Sequence, residues 1–246
     1  MSKVIIILTK ITIALLITLL FSSCRYQGKM NDSMEGSGNF KTETRTLPED
    51  FQKISVENTV EVTVEQSDNK SINVEADDNI INHVVTKVEN GVLIIKLESG
   101  SYDNVSAKVN IKMPVIKGLY CSSSSSIKGN NVIITDDLDV KAESDGDVEL
   151  NVEADNLSLT AESSGSIKAR GKALKLKTSS NSGSDLNAKE LMANEVISQS
   201  ESGGSSSVYP IVSLNASASS GGSIIYYKSP KSITKESSSG GSISRM

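Results

Sequence analysis

The residue with the most specific chemistry is Cys24, which ends the segment "LLFSSC". Two small residues between an apolar run and a cysteine resemble a bacterial lipobox, where the precursor is cut before the cysteine and the thiol is acylated. The alternative is an ordinary cleavage site beside an incidental cysteine. Acylation at Cys24 would supply several acyl chains, and stable membrane anchoring needs more than one. The motif therefore predicts a lipid anchor at Cys24.

The segment before Cys24 would deliver it to the membrane. Lys3 gives a basic start, and residues 11–21 form an apolar core of 11 residues. That length suits a signal peptide of about 7–15 apolar residues and falls short of the roughly 20 that a spanning helix needs. We predict a lipoprotein signal peptide over residues 1–23 and a flexible tether over residues 24–39. Arg25 replaces the Asp that retains lipoproteins in the inner membrane, so the outer membrane is expected, on either face.

The other residues capable of chemistry do not form a catalytic pattern. His83 is the single histidine, and no nucleophile or carboxylate pattern converges on it, so a structural role is favoured over catalysis. Cys121 is expected to be a buried thiol, with a reactive thiol as the alternative. An intrachain disulfide is excluded if Cys24 carries lipid. We predict no catalytic residue, no cofactor and no metal site.

Composition narrows the class of partner. Cleavage before Cys24 removes two lysines and leaves 23 basic against 30 acidic residues. The mature chain is mildly acidic and has no basic run, so nucleic acid is not an expected partner. There is no Trp, and three Phe are present. The core must therefore consist of thin layers of aliphatic side chains.

A repeated phrase organises the second half of the chain. Each phrase is a cluster of small residues closed by an apolar residue. The closing residues, which are 21, 19, 19, 22, 16 and 19 apart, are Ile127, Val148, Ile167, Leu186, Val208, Ile224 and Ile243. This spacing is too long for one strand and suits one coil of a solenoid.

The register of the coils can be tested on the sequence. Placing Val148 over Ile167 brings Glu149 over Lys168 and Glu153 over Lys172, which are opposite charges. A second strand is expected in each coil, at Leu138 and Val140, Leu157 and Leu159, Leu174 and Leu176, and Val212 and Leu214. The sequence predicts a right-handed parallel β-helix of about six or seven turns, with corners at the small-residue phrases and at the Asp155-Asn156 and Gly171 breaks.

Residues 40–114 predict a different strand pattern. Runs of alternating apolar residues, such as "VEVTVEQ" from Val60, indicate strands with one buried face. Asn90-Gly91 is the preferred type I′ turn of an antiparallel hairpin. Between these runs, "DDNIINHVV" permits one or two helical turns at Ile80, Ile81 and Val84.

The Ser-rich edge of the coils allows several interpretations. A ladder of hydroxyls could bind ice, glycan or calcium, yet the phrases lack the regular spacing of such sites. Steric fit at a tight corner is favoured, because small side chains allow close stacking. The coils contain three tyrosines that could stack on a sugar: Tyr209, Tyr226 and Tyr227. Because side chains alternate along a strand, one of the adjacent pair Tyr226 and Tyr227 would point inward. A glycan-active enzyme would need several carboxylates that converge in a groove. The acidic residues of the coils are instead scattered in turns: Asp145, Asp147 and Asp185.

The segment from "GSGNFKTETRTLPEDFQKISV" to "NIKMPVIKGLYCSSSSSIKG" resembles the putative autotransporter-adhesin head GIN domain, a family of Gram-negative envelope proteins. The cues are the opening at Phe51, "V.AD.N" at Val74 and the recurring Ser-Gly corners. The chain departs from the family at "CSSSSS", where Gly is usual. The resemblance covers residues from 38 onward and implies an adhesin-like domain without catalytic residues.

Together these features predict an all-β domain over residues 40–246, comprising N-terminal strands over 40–114 and coils over 115–246. The expected function is a non-catalytic binding or adhesin-like module on an outer-membrane lipoprotein, with a surface glycan or protein as ligand. The alternative is a structural envelope protein that forms homo-oligomers by end-to-end stacking of coils. A glycan-active enzyme is the third hypothesis.

Overall fold

The computed structural model describes residues 33–47 and 49–246, and Glu35–Met246 form one compact unit. The expected signal peptide, Cys24 and most of the tether lie outside the described residues, so those assignments stay predictions. No helix within the described part of the chain is long and apolar enough to span a membrane.

The domain is built almost entirely of strands, with one short 3-10 helix at Ile81–His83. The strands are β1 (Met34–Glu35), β2 (Phe40–Arg45), β3 (Lys53–Glu57), β4 (Glu61–Gln66), β5 (Ser71–Asp77), β6 (Val84–Glu89), β7 (Val92–Leu97), β8 (Tyr102–Asp103), β9 (Ala107–Met113), β10 (Gly118–Ser122), β11 (Ser126–Glu143), β12 (Asp147–Glu162), β13 (Ser166–Asn181), β14 (Asp185–Glu201), β15 (Ser205–Ala218), β16 (Ser223–Tyr226), β17 (Ser232–Ser237) and β18 (Ser242–Arg245).

The coils stack as a parallel β-solenoid of about seven turns, as the sequence predicts. β11 to β15 pair in order, each with the next, and all pairs are parallel. Val148 lies over Ile167, and Glu149 lies over Lys168. The Lys168 Nζ is 3.4 Å from the Glu149 carboxylate, which also receives Arg170 at 2.7 Å. The predicted register is therefore confirmed for these coils.

The second strand segment of each coil is confirmed, because Leu174 lies within β13 and Val212 within β15. Their side chains do not face the core, since they are 51% and 38% exposed. Leu176 lies over Leu157, which places Thr178 over Leu159. The strand turns a corner between Ala173 and Lys175, and an apolar residue at the corner points outward.

The fifth phrase closes at Ser206 rather than at Val208. Ser206 pairs with Leu186, 20 residues earlier, and with Ile224, 18 residues later. A serine can occupy this fully buried position because its hydroxyl lies 2.9 Å from that of Ser180, which also contacts Ser200 at 2.8 Å. Hydrogen bonding offsets the cost of burying these polar groups.

The N-terminal strands continue the solenoid and then close its first end. β3 and β4 pair in parallel with β10 and β11, so they form an earlier coil. β6 returns antiparallel along β7 through Asn90-Gly91, where both residues have positive φ, and this confirms the predicted hairpin. β5 and β2 add antiparallel strands beyond β9. The 3-10 helix occupies the segment where helical turns were expected.

Candidate functional site

The small-residue phrases form one corner of every coil. Two successive residues in each have positive φ, and these pairs are 123–124, 144–145, 163–164, 182–183, 202–203, 220–221 and 239–240. In most pairs, the backbone N–H of the second residue donates a hydrogen bond to the backbone carbonyl of the first residue of the pair in the next coil. Ser164 donates to Ser182 in this way, at 3.2 Å. This ladder uses the corner's own donors, so the phrases need no bound ligand to satisfy them.

The residue after each positive-φ pair approaches the preceding coil closely. These positions form a small-residue column of Ser125, Gly146, Gly165, Ser184, Gly204, Gly222 and Gly241. A Cβ added at Gly165 would clash with the carbonyl group of Ala142. Ser184 fits because its hydroxyl donates to the Ala161 carbonyl at 2.7 Å. Steric fit, the favoured interpretation of the phrases, is what the geometry supports.

Cys121 and His83 have structural surroundings. The Cys121 thiol is 2% exposed and donates to the Ser125 carbonyl at 3.0 Å. Burial raises the pKa of this thiol, which lowers the thiolate fraction and hence its reactivity. The His83 Nδ1 is 2.9 Å from the Glu98 carboxylate, and its ring meets Tyr102 edge-on. Over residues 33–47 and 49–246, His83 bonds to no serine or cysteine.

The coil tyrosines do not make a shared platform. Tyr226 is 7% exposed, and Lys235 donates to its hydroxyl at 2.8 Å. Tyr227 faces outward, so alternation separates the pair as expected. Within the described part of the chain, no three His, Cys, Asp or Glu residues are grouped closely enough to hold a metal ion.

A concave surface runs across successive coils, along the second strand segment of each. This axial groove has a volume of about 630 Å³. Its floor is the backbone of a stack of residues whose side chains point into the core and are only 1–2% exposed: Leu138, Leu157, Leu176, Val196 and Leu214. The residues on either side of each floor position point outward, because side chains alternate along a strand.

Two columns of outward side chains, all polar except Ile197, form the walls of the axial groove. One column contains Asp137, Asn156, Lys175, Glu195, Ser213 and Ser232. The other contains Asp139, Ser158, Lys177, Ile197, Asn215 and Thr234. The sequence analysis missed this groove. The available signal was the pair of polar residues that flanks one apolar residue in each coil.

Charge in the axial groove is distributed by coil. Asp137 and Asp139 lie in one coil, and Lys175 and Lys177 lie two coils later. Asn156 and Ser158 separate them, and the Asn156 amide donates to Asp137 at 2.9 Å. Neither lysine forms an ion pair with any residue that the structure describes. The groove therefore offers a central pair of free ammonium groups between hydroxyl, amide and carboxylate groups.

A second recess lies on the neighbouring corner and is more apolar. It has a volume of about 530 Å³ and includes Ile134, Leu174 and Met192. These three side chains are 64%, 51% and 44% exposed. Ile134 lies in β11, Leu174 in β13 and Met192 in β14. Because β12 contributes no such side chain, they form an interrupted apolar stripe.

Comparisons with known proteins agree with the fold. The family described as "Putative auto-transporter adhesin, head GIN domain" matches residues 50–230. No curated protein matches the chain. A solved structure named a putative adhesin, from Bacteroides fragilis, is 20% identical with a TM-score of 0.80, and the match covers 87% of this chain and 100% of that one.

Two proteins from Parabacteroides distasonis are also similar in structure. One, named a putative adhesin, is 19% identical with a TM-score of 0.68, over 87% of this chain and 100% of that chain. The other, named a putative lipid binding protein, is 23% identical with a TM-score of 0.66, over 87% and 99%. At these identities the likeness concerns the fold.

Proposed function

The chain belongs to the family of putative auto-transporter adhesin head GIN domains, and from that premise we propose that it is a non-catalytic, adhesin-like binding module of the cell envelope. Its ligand lies in the axial groove. Cys24 carries the lipid that anchors the module to the outer membrane.

The axial groove is the observation that supports binding. It presents outward side chains from six consecutive coils on a floor of stacked aliphatic residues, so the surface is rigid and needs no rearrangement to accept a ligand. No acid and base in the described residues converge with a nucleophile, which favours binding over turnover.

Binding can be tested with cells that display the full chain over immobilised polysaccharides and host proteins. Asn215→Trp fills the groove and should abolish retention, whereas Asn187→Trp, which lies outside it, should leave retention unchanged. Retention equal to that of cells lacking the chain, on every surface tested, would contradict the proposal.

The anchor can be tested by fractionation. Cys24→Ser should move the protein from the membrane pellet to the soluble fraction, because stable anchoring depends on the acyl chains. A variant that still sediments with membranes would contradict lipidation at Cys24. Protease shaving of intact and permeabilised cells then distinguishes the outer from the periplasmic face, and only the outer face is compatible with adhesion.

Assembly by end-to-end stacking of coils stays a prediction. Light scattering over a concentration series tests it: dimers would support a structural role, and a monomer at high concentration would contradict it.

A further inference from the structure

We propose that the axial groove binds a linear glycan in which an acidic sugar is flanked by neutral sugars, with the acidic unit placed between Lys175 and Lys177. This inference rests on the proposed binding function and adds the chemistry of the ligand.

The backbone of the groove favours a glycan over a peptide. Extended peptides bind sheets by pairing with an exposed strand edge. The strands beneath the groove are already paired on both sides, from β11 through β15. A ligand here can use only side chains, and hydroxyl-rich sugars suit walls made of amides, hydroxyls and carboxylates.

Coil spacing gives the direction and the repeat of the ligand. Stacked strands lie about 4.8 Å apart, which is close to the length of one sugar unit in an extended chain. An extended peptide advances only about 3.3 Å per residue and would fall out of step with the coils. A glycan running along the groove can place one unit over each coil.

The charge of each coil then specifies the charge of each unit. Lys175 and Lys177 project from one coil on the same side, and neither has an ion-pair partner among the described residues. Lys175 lies between Asn156 and Glu195, and Lys177 lies between Ser158 and Ile197. A carboxylate over the lysine coil would gain two ammonium groups.

The coils around the lysine coil favour neutral units beside the acidic one. Glu195 repels an acidic unit on one side. On the other side Asn156 and Ser158 carry no positive charge, and the coil beyond them repels an acidic unit through Asp137 and Asp139. Ile197, 49% exposed, offers an apolar contact to the C–H face of a neutral ring. The pattern therefore fits one acidic unit flanked by neutral units.

Three trisaccharide probes separate these requirements: the hyaluronan trisaccharide, which carries one glucuronate between two N-acetylglucosamines; its carboxyl-methylated form; and trigalacturonate, which carries a carboxylate on every unit. The full chain in detergent is titrated with each by calorimetry. We expect hyaluronan to bind at least tenfold more tightly than either of the others. Lys175→Ala/Lys177→Ala should weaken hyaluronan binding at least tenfold. The matched control Lys108→Ala/Lys189→Ala removes two exposed lysines outside the groove and should change it less than twofold.

Glu195→Gln provides a second measurement, because removing the repulsive carboxylate should raise trigalacturonate affinity toward that of the hyaluronan trisaccharide. Equal binding of hyaluronan and its methylated form, or full binding by the Lys175→Ala/Lys177→Ala variant, would overturn the inference while leaving the proposed binding function intact. If the chain binds none of the probes and is also retained on none of the surfaces of the display experiment, the proposed function itself fails.

Discussion

Gly165 shows why the corner phrases are restricted to small residues. Its backbone lies against the carbonyl group of Ala142, and an added methyl group would overlap with that carbonyl. We expect Gly165→Ala to lower the free energy of unfolding by about 1–3 kcal/mol, because overpacking forces backbone shifts. Urea unfolding followed by circular dichroism measures the change.

Ser164→Ala is the matched control, since Ser164 is an exposed neighbour whose backbone alone makes the corner hydrogen bond. It should change the unfolding free energy by less than about 0.5 kcal/mol. An equal loss of unfolding free energy in the two variants would show that the backbone conformation of the corner, and not the close approach of Gly165 to Ala142, restricts these positions to small residues.

Cys121 should be unreactive while the domain is folded. Burial raises the pKa of its thiol, so the thiolate that reacts with labelling reagents forms only at a pH above the usual range. In a Cys24→Ser background, a disulfide exchange reagent at pH 8 should label the protein in denaturant and leave the native protein unlabelled. Rapid labelling of the native protein would favour the reactive-thiol alternative.

At the scale of elements, Asp77 joins the entering chain to the solenoid. Its carboxylate is 2% exposed and accepts hydrogen bonds from the backbone N–H groups of Gly38 and Ser106, both at 2.8 Å. The neighbouring Asn79 accepts from the Ser37 N–H at 3.1 Å. The "V.AD.N" motif thus holds the end of the expected tether, residues 37–39, against β5.

Asp77→Ala should release this segment, because the backbone N–H groups of Gly38 and Ser106 would lose their carboxylate acceptor, and a hydrogen bond to a charged group contributes about 1.5–3 kcal/mol. Limited proteolysis is expected to cleave before Phe40 in the variant and not in the wild type. Asp78→Ala removes only a surface contact with Ser37 and should leave cleavage unchanged. Protection of the Asp77→Ala variant would show that other contacts hold the segment.

The elements also show which features could be predicted from sequence. The offset of 19 between Val148 and Ile167 was readable because both residues are apolar and follow the same phrase. Ser206 was not readable, since its burial depends on hydroxyl partners in other coils. The outward position of Leu174 was not readable either, because an apolar residue at a corner looks the same in sequence as an apolar residue in the core.

The axial groove was beyond prediction for a different reason. Its walls are polar except at Ile197 and change residue type at most steps from coil to coil, whereas its floor repeats leucine and valine. The concavity arises from the bend of stacked strands, which no single coil encodes. The sequence therefore predicted the solenoid fold but not the axial groove on its surface.

At the scale of the whole molecule, the coils should be separable units. Ser166 lies over Asp147, which lies over Ser126, so deleting residues 147–165 would place Ser166 directly over Ser126. We expect this deletion to keep the β-sheet circular dichroism signal and to lower the melting temperature, because solenoid stability is close to a sum over neighbouring coils.

Deleting residues 147–156 instead shifts the register by about half a coil and should prevent folding, because inward side chains would no longer stack. A folded product from that shorter deletion would contradict a strict coil register. Circular dichroism and thermal melts compare the two variants.

The parallel stacking of coils has a mechanical consequence. Hydrogen bonds between parallel strands are evenly spaced and slanted and join each strand to the next, so in this domain they connect the coils along the general direction of the solenoid axis. Tension applied along that axis would break them one coil after another instead of all at once. With an offset of 19 residues between stacked positions, each released coil would add about 60 Å of extended chain. A force–extension curve should show regular steps of that size, so the domain would lengthen stepwise under load before it unfolded completely.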